Sequence, residues 1–245
     1  MKTGNLILDA LSGDDALALE PSLETFDLKL KEQLFSPQDR DGYAYFPTTG
    51  VISLLRGFEN GAVIEVGIVG HEGVAGIHAF LGEDLDPTHA IVQCPGKGYR
   101  VRDARIRELF LRGGEFQTLL LRFTYALIVQ ISQTAACNQL HLADQRLARW
   151  LLAMADRIEE DVIPLTHEFL AHMLGASRAR VSDALRRFRD GGAVECSRNQ
   201  ILIRDRSRLE AWACECYEAV RTVDQDVATG DRPSGRTATV PERSL

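Results

Sequence analysis

Leu165–Val194 reads LTHEFLAHMLGASRARVSDALRRFRDGGAV, two short helical patterns joined by Gly175-Ala176-Ser177. Leu165, Phe169, Met173 and Leu174 share one face of the first pattern; Val181, Leu185 and Phe188 share one face of the second. Thr166 and Ser177 stand where N-caps belong, each with a side-chain oxygen that can accept from free backbone N–H groups. Gly175 fits the position after the first helix, where a positive φ ends it at low cost. Two helices with a short Gly-containing turn predict a helix-turn-helix, whose second helix enters the major groove of duplex DNA. That second helix carries Arg178, Arg180, Arg186, Arg187 and Arg189, with Asp183 among them. A plain helical hairpin with a solvated basic face fits the same residues. The residues after the second helix favour DNA. Gly191-Gly192 stops the helix, and AVEC and QILI read as short strands around Ser197-Arg198-Asn199. Such a wing gives a second contact to the DNA backbone, with Arg198 near its tip.

Outward from this stretch, the 245 residues give room for one large domain or two ordinary ones. A hydrophobic fraction of 45% and a charged fraction of 26% are those of a globular protein. The net charge of −7 argues against nucleic acid when taken alone, but its distribution matters more. Leu165–Asp205 holds seven arginines and five acids, a local excess of +2. Phosphates meet one face rather than the average, so binding with appreciable salt sensitivity is expected. The five cysteines (Cys94, Cys137, Cys196, Cys214, Cys216) are scattered and lack zinc-ribbon spacing. On one helix Cys214 and Cys216 would point about 200° apart and not chelate together, so buried reduced thiols and no bound metal are expected. The N-terminus, MKTGNLILDALSGDDALAL, has a short apolar run broken by Gly and Asp, neither a signal peptide nor a membrane span. A cytoplasmic location follows as the expectation.

Asn5–Leu11 and Asp14–Leu19 predict short capped helices. A β-rich region comes next: Glu24–Leu34 alternates loosely, and Tyr43–Pro47, Val51–Arg56 and Val63–Val69 are better strands. Asn60-Gly61 between two apolar runs is a strong hairpin signal. Ala90–Cys94 and Gly98–Val101 continue the series around a Pro95-Gly96 turn. Many short strands at regular spacing predict a sandwich or jelly-roll-like barrel. Phe116–Leu142 is then a long helix, apolar nearly all round, which must be covered on more than one side. One cover is its own β-domain, and a second copy best explains the other. Gln117, Arg122, Gln130, Gln133 and Asn138 argue against a membrane helix. Asp144–Glu160 is amphipathic, with Leu147, Leu151, Met154 and Ile158 on its core stripe. Thr229–Leu245 is polar and Pro/Gly/Ser-rich, so a disordered tail is expected. The division is 1–114 β-domain, 115–142 dimerisation helix, 143–217 winged helix-turn-helix and 218–245 tail. The fold class is α+β.

This order of parts resembles the CRP/FNR family of bacterial transcription regulators. LTHEFLAHMLGASRARVSDALRRF matches the family's helix-turn-helix pattern closely, and FPTTGVISLL…IEVGIVGHEGVAGIHAFLG resembles its effector-binding β-roll, a double-stranded β-helix. The resemblance covers about residues 5–217. It implies a β-roll that senses an effector, a homodimer, two recognition helices reading a palindromic operator, and RNA polymerase as a further partner. Arg178 occupies a place from which the family reads bases, and arginine there can fork onto guanine O6 and N7. Ser177 and Ser182 match positions near backbone or bases, and Thr166 matches a phosphate-contacting cap with His167 beside it. Arg180, Arg186, Arg187 and Arg198 are further candidates for bases or phosphates. Ala179 stands where well-known members carry a glutamate, and Asp183 where they often carry an arginine, so a different operator is expected.

The cyclic-nucleotide site departs further. The family's Gly-Glu and Arg-Ser/Thr pairs correspond here to Gly76-Ile77 and Thr88-His89, and no arginine lies between Arg56 and Arg100. Burying a cyclic phosphate without a guanidinium is costly, so cyclic AMP binding is not expected and the effector stays unassigned. The N-terminal cysteines of oxygen-sensing members are absent, since Cys94 is the first. The alternative from another class is a cupin-like metalloprotein or metal sensor using His71, His78, His89 and Glu72. Its usual His-x-His spacing is missing. A haem sensor with Cys94 or a histidine as axial ligand is a rival within the family. No Ser-His-Asp set, phosphate-cradling loop or paired-carboxylate motif points to an enzyme, and no cofactor is expected.

Overall fold

The computed structural model describes residues 2–36, 42–82, 88–165, 167–197 and 200–229. Asn5 caps α1 (Leu6–Ala10) by accepting from the Leu8 N–H at 3.2 Å, and α2 spans Gly13–Leu19. Seven strands come after: β1 (Glu24–Leu28), β2 (Gln33–Phe35), β3 (Tyr43–Pro47), β4 (Val51–Gly57), β5 (Val63–Val69), β6 (His89–Cys94) and β7 (Gly96–Arg102). They form two antiparallel sheets, β1-β7-β3 and β2-β6-β4-β5. Leu28, Phe46 and Val101 from the first sheet share one apolar core with Phe35, Ile52, Val69 and Val92 from the second. This is the expected jelly-roll-like architecture.

Asn60-Gly61 closes the β4–β5 hairpin, with Gly61 at φ +80°. Pro95 is different. It carries the chain from one sheet to the other rather than closing a hairpin, because β6 and β7 lie in separate sheets. Gly50 makes that crossing possible. Its φ is +79°, and an added Cβ would meet the Cys94 carbonyl at 2.7 Å.

After α3 (His78–Leu81) and α4 (Asp103–Leu111), α5 runs from Gly114 to Leu140. Phe116, Leu119, Leu120, Phe123, Ala126 and Leu127 bury one face of it in the β-domain core. Gln130 fixes the register, accepting from the Ile68 N–H at 2.7 Å and donating to the Ile68 carbonyl at 3.2 Å. Burying an amide is cheap when both its ends are bonded in this way. The helix is long and apolar enough to cross a bilayer by length and composition, yet this packing commits that face to protein.

The chain breaks at His141-Leu142 and enters α6 (Ala143–Ile158), followed by β8 (Val162–Ile163), α7 (His167–Met173), α8 (Arg178–Asp190), β9 (Val194–Cys196), β10 (Ile201–Ile203) and α9 (Arg206–Glu210). Leu147, Leu151, Leu170, Val181, Leu185, Phe188 and Ile201 form a second core, which meets the β-domain at Val51, Ile68 and Cys94.

Polar groups cross the same boundary. Glu65 on β5 accepts from Ser53 Oγ at 2.6 Å and from Trp150 Nε1 on α6. Arg157 on α6 pairs with Glu72 and with Asp224, each at 2.7 Å. They line a cavity of about 310 Å³ between β5, α5 and α6.

The C-terminus corrects one expectation. Helix α10 (Cys216–Thr229) occupies residues assigned to the tail and packs on α5 and α6. Its sequence is polar, but Val220 and Tyr217 bury against the body and Asp224 is held by Arg157. Tertiary packing supplies what propensity does not. Residues 230–245 lie outside those described.

Candidate nucleic-acid interface

The helix-turn-helix is built by local chemistry at three points. Gly175 sits at φ +55°, and the Ala176 N–H bonds back to the Ala171 carbonyl at 3.0 Å. That six-to-one bond with a left-handed glycine is a Schellman stop for α7. Ser177 caps α8, its Oγ accepting from the Arg180 N–H at 3.3 Å. Helix α8 ends as α7 does: Gly192 is at φ +73°, and the Ala193 N–H reaches the Phe188 carbonyl at 2.8 Å. Arg146 on α6 donates to the Leu174 carbonyl, fixing the turn from behind.

Val181, Ala184, Leu185 and Phe188 bury the inner face of α8, and Phe188 packs on Trp212 with ring centroids 5.3 Å apart. The outer face is basic, but its arginines are not equivalent. Arg186 pairs with Asp183 at 2.8 Å, Arg187 with Asp144 of α6 at 2.8 Å, and Arg189 with Asp190 at 3.3 Å. Arg178 and Arg180 make no ion pair with any described residue and stand exposed on the first turn of α8. Ser182 is half-buried on the same helix. The N-terminal turn of a recognition helix is the part that reaches base edges. Thr166 and Arg198 lie outside the described residues, and His167 is described only as the first residue of α7.

The wing is present as β9 and β10, paired antiparallel with Cys196 opposite Ile201. Sequence reading missed its third strand. The two-residue β8 pairs with β10 and gives the order β8-β10-β9. Too short to show a period, it is held by Ile163 in the core.

The histidines of the alternative reading are not brought together. His71 Nδ1 lies 3.1 Å from the Arg157 carbonyl oxygen, and His78 packs edge-on against Phe35 and faces Asp103. His89 starts β6. Cys94 is buried, and burial pushes its thiol up to about 12, unsuited to a thiolate ligand. Among the described residues, metal-ligating side chains converge elsewhere, at Cys137, His141, Cys214 and Cys216.

Residues 145–212 match the Crp-like helix-turn-helix domain. Among solved structures, FixK2 from Bradyrhizobium japonicum superposes with a TM-score of 0.68 at 17% identity, over 78% of this chain and 98% of that one. A CRP-family transcriptional regulator from Thermus thermophilus gives 0.63 at 18% identity, over 78% and 96%. Residues 145–212 are thus a Crp-like helix-turn-helix domain, placed behind a β-domain and long helix whose fold is that of these solved structures. The global nitrogen regulator of Nostoc sp. is a curated relative, 24% identical over 196 residues, covering 76% of this chain and 86% of its own length.

Proposed function

We propose that the chain acts as a homodimer in the cytoplasm, binding a palindromic DNA site in a sequence-specific manner and working on RNA polymerase from there. The observation that carries this reading is the first turn of α8, where Arg178 and Arg180 stand exposed beside the Ser177 cap, with no ion pair to any described residue. Arg178 is the base reader, forking onto guanine. Arg180, Ser177 and Ser182 position the helix, together with Thr166, His167, Arg186, Arg187 and, from the wing, Arg198.

Dimerisation is supported by α5. Opposite its buried face, Leu121, Tyr125 and Ile128 are exposed at spacings of four and three residues, the stripe a second copy would cover. Two recognition helices then sit in major grooves about 34 Å apart. The β-domain biases that spacing through Gln130, Trp150 and Arg157, which tie β5 and the turn after it at Glu72 to α5 and α6. Cyclic AMP is not the effector, since the stretch between Arg56 and Arg100 offers no guanidinium for its phosphate.

Selection of bound duplexes from a random library tests the reading. A palindromic consensus is expected, with Arg178→Ala losing discrimination at one base pair per half-site. Recovery of no consensus, or an Arg178→Ala protein that binds as tightly and selectively as the wild type, overturns it.

A further inference from the structure

The sequence places Cys137 and His141 one turn apart, and Cys214 and Cys216 far downstream. Cys214 and Cys216 do not share a helix. Cys214 precedes α10 and Cys216 is its first residue, so the opposed directions expected of an i, i+2 helical pair do not arise. Both thiols turn toward the last turn of α5, where the helix ends at His141. Cys137 Sγ is 3.5 Å from Cys214 Sγ, and Cys216 Sγ is 3.5 Å from His141 Nδ1. All four ligand atoms lie within 4.8 Å of one another.

We propose that Cys137, His141, Cys214 and Cys216 bind a single thiophilic divalent ion, zinc being the best fit, and that the ion clamps the DNA-binding domain to the end of α5. Three thiolates and one imidazole are a recognised tetrahedral zinc set, with metal–sulfur bonds of about 2.3 Å and sulfur–sulfur edges of about 3.8 Å. The Cys137–Cys214 separation of 3.5 Å is close to that edge length, and no pair of ligand atoms exceeds 4.8 Å. A cluster of several irons needs its sulfurs further apart.

The surroundings fit ligation independently of the ligands. His141 turns Nδ1 inward, and its Nε2 lies 3.4 Å from the Glu215 carboxylate. A carboxylate on the outer nitrogen orients a ligating imidazole and raises its basicity. Gln133 Nε2 donates to Cys216 Sγ at 3.0 Å, an outer hydrogen bond suited to a thiolate. Cys137, Cys214 and Cys216 are all buried, while His141 reaches the surface and leaves a way in. Binding replaces the thiol protons, which leave to solvent as the sulfur–metal bonds form, with no change of oxidation state.

The location gives the site a consequence. Only His141 and Leu142 separate α5 from α6, so this is the hinge between the dimerisation helix and the DNA-binding domain. An ion there joins the end of α5 to the start of α10 and fixes the hinge. Control of DNA affinity by the ion rests on the function proposed above; the site itself does not.

The full chain, purified under reducing conditions, is stripped with a chelator and titrated with zinc or cobalt(II). One ion per chain is expected, with the strong ligand-field and thiolate charge-transfer bands of tetrahedral cobalt, and a higher melting temperature in the loaded protein. His141→Ala, at the most exposed ligand, and Cys216→Ser lose affinity at least tenfold, whereas Cys94→Ser and Cys196→Ser keep it. Absence of tight binding by the wild type overturns the site, as does weak six-coordinate cobalt absorption. So does a Cys137–Cys214 disulfide in place of the metal, or iron with acid-labile sulfide in multiple equivalents. Gel shifts on a selected duplex, with loaded and stripped protein, then test the clamp. Equal affinity in both states overturns control by the ion while leaving the site intact, and no DNA binding in either state tells against the proposed function alone.

Discussion

Glu65 on β5 accepts a hydrogen bond from the indole of Trp150 on α6, so a carboxyl of the β-domain is completed by the DNA-binding domain. Burial pushes Glu65 up to about 7, against the opposing pull of its Ser53 and Trp150 donors and the charges of Arg149 and Arg157. Below about pH 4.5 the carboxyl is protonated both folded and unfolded, and contributes no pH dependence. Between that point and pH 7 the unfolded chain ionises first while the folded one keeps its proton, so stability falls as pH rises. Above pH 7 the loss is constant, roughly 3 kcal/mol. Glu65→Gln is expected to flatten this part of a urea-denaturation profile, because glutamine can still accept from Trp150. Asp224, which burial pushes up to about 6, keeps its own contribution of the same sign. An unchanged slope in the variant refutes the assignment.

The parts that were legible in the sequence are those decided within a few residues. Gly175, Ser177 and Gly192 each end or start a helix through bonds to neighbours in the chain, so their residue types announced the structure. The strands around Asn60-Gly61 were legible for the same reason. The cysteine cluster was not. Its two halves are far apart in sequence, and Cys214-x-Cys216 discloses its geometry only once the start of α10 is known. The i, i+4 pairing of Cys137 with His141 was the available signal. Glu65 and Arg157 gave no signal at all, because nothing local distinguishes a charged residue that will be buried from one that will not. Helix α10 was read as tail because its stability comes from α5 and Arg157 rather than from its own composition.

Gly73 is pressed against α5. A Cβ built there would lie 2.0 Å from Phe123 Cε2, and the Gly73 carbonyl is held by Asn5 Nδ2 at 2.9 Å, so the backbone is anchored. Phe123 is itself buried. Gly73→Ala is therefore expected to cost about 1–3 kcal/mol in chemical denaturation. Adding Phe123→Leu makes room for the methyl, and the double mutant should lose less than the two single effects combined. Full additivity shows that the contact is not what excludes the side chain.

Arg178 and Arg180 are expected to fail differently. Arg178→Ala removes a base contact, costing about 1–3 kcal/mol on the selected site and little on unrelated DNA. Arg180→Ala weakens both sites alike and lowers the slope of log affinity against log salt by about 1. Arg187, already paired with Asp144, serves as the comparison, and its removal is expected to change DNA binding least. Fluorescence anisotropy across a salt series separates the three. Identical salt slopes for wild type and Arg180→Ala remove Arg180 from the phosphate contacts.

Ile128 tests the dimer. It is 55% exposed at the end of the stripe with Leu121 and Tyr125, while Leu127 beside it is buried. A side chain so exposed contributes little to its own fold, so Ile128→Glu should leave the circular dichroism spectrum and the cobalt-binding site unchanged. Across a two-fold axis, however, it sets two carboxylates against each other where apolar surface was to be covered. Sedimentation at micromolar concentration is expected to show a dimer for the wild type and a monomer for the variant. DNA affinity should fall steeply with it, because a monomer engages one half-site and loses the effective concentration that tethering gives the second. A wild-type protein that sediments as a monomer, or a variant that remains a dimer, shows that α5 is covered by something other than its own copy.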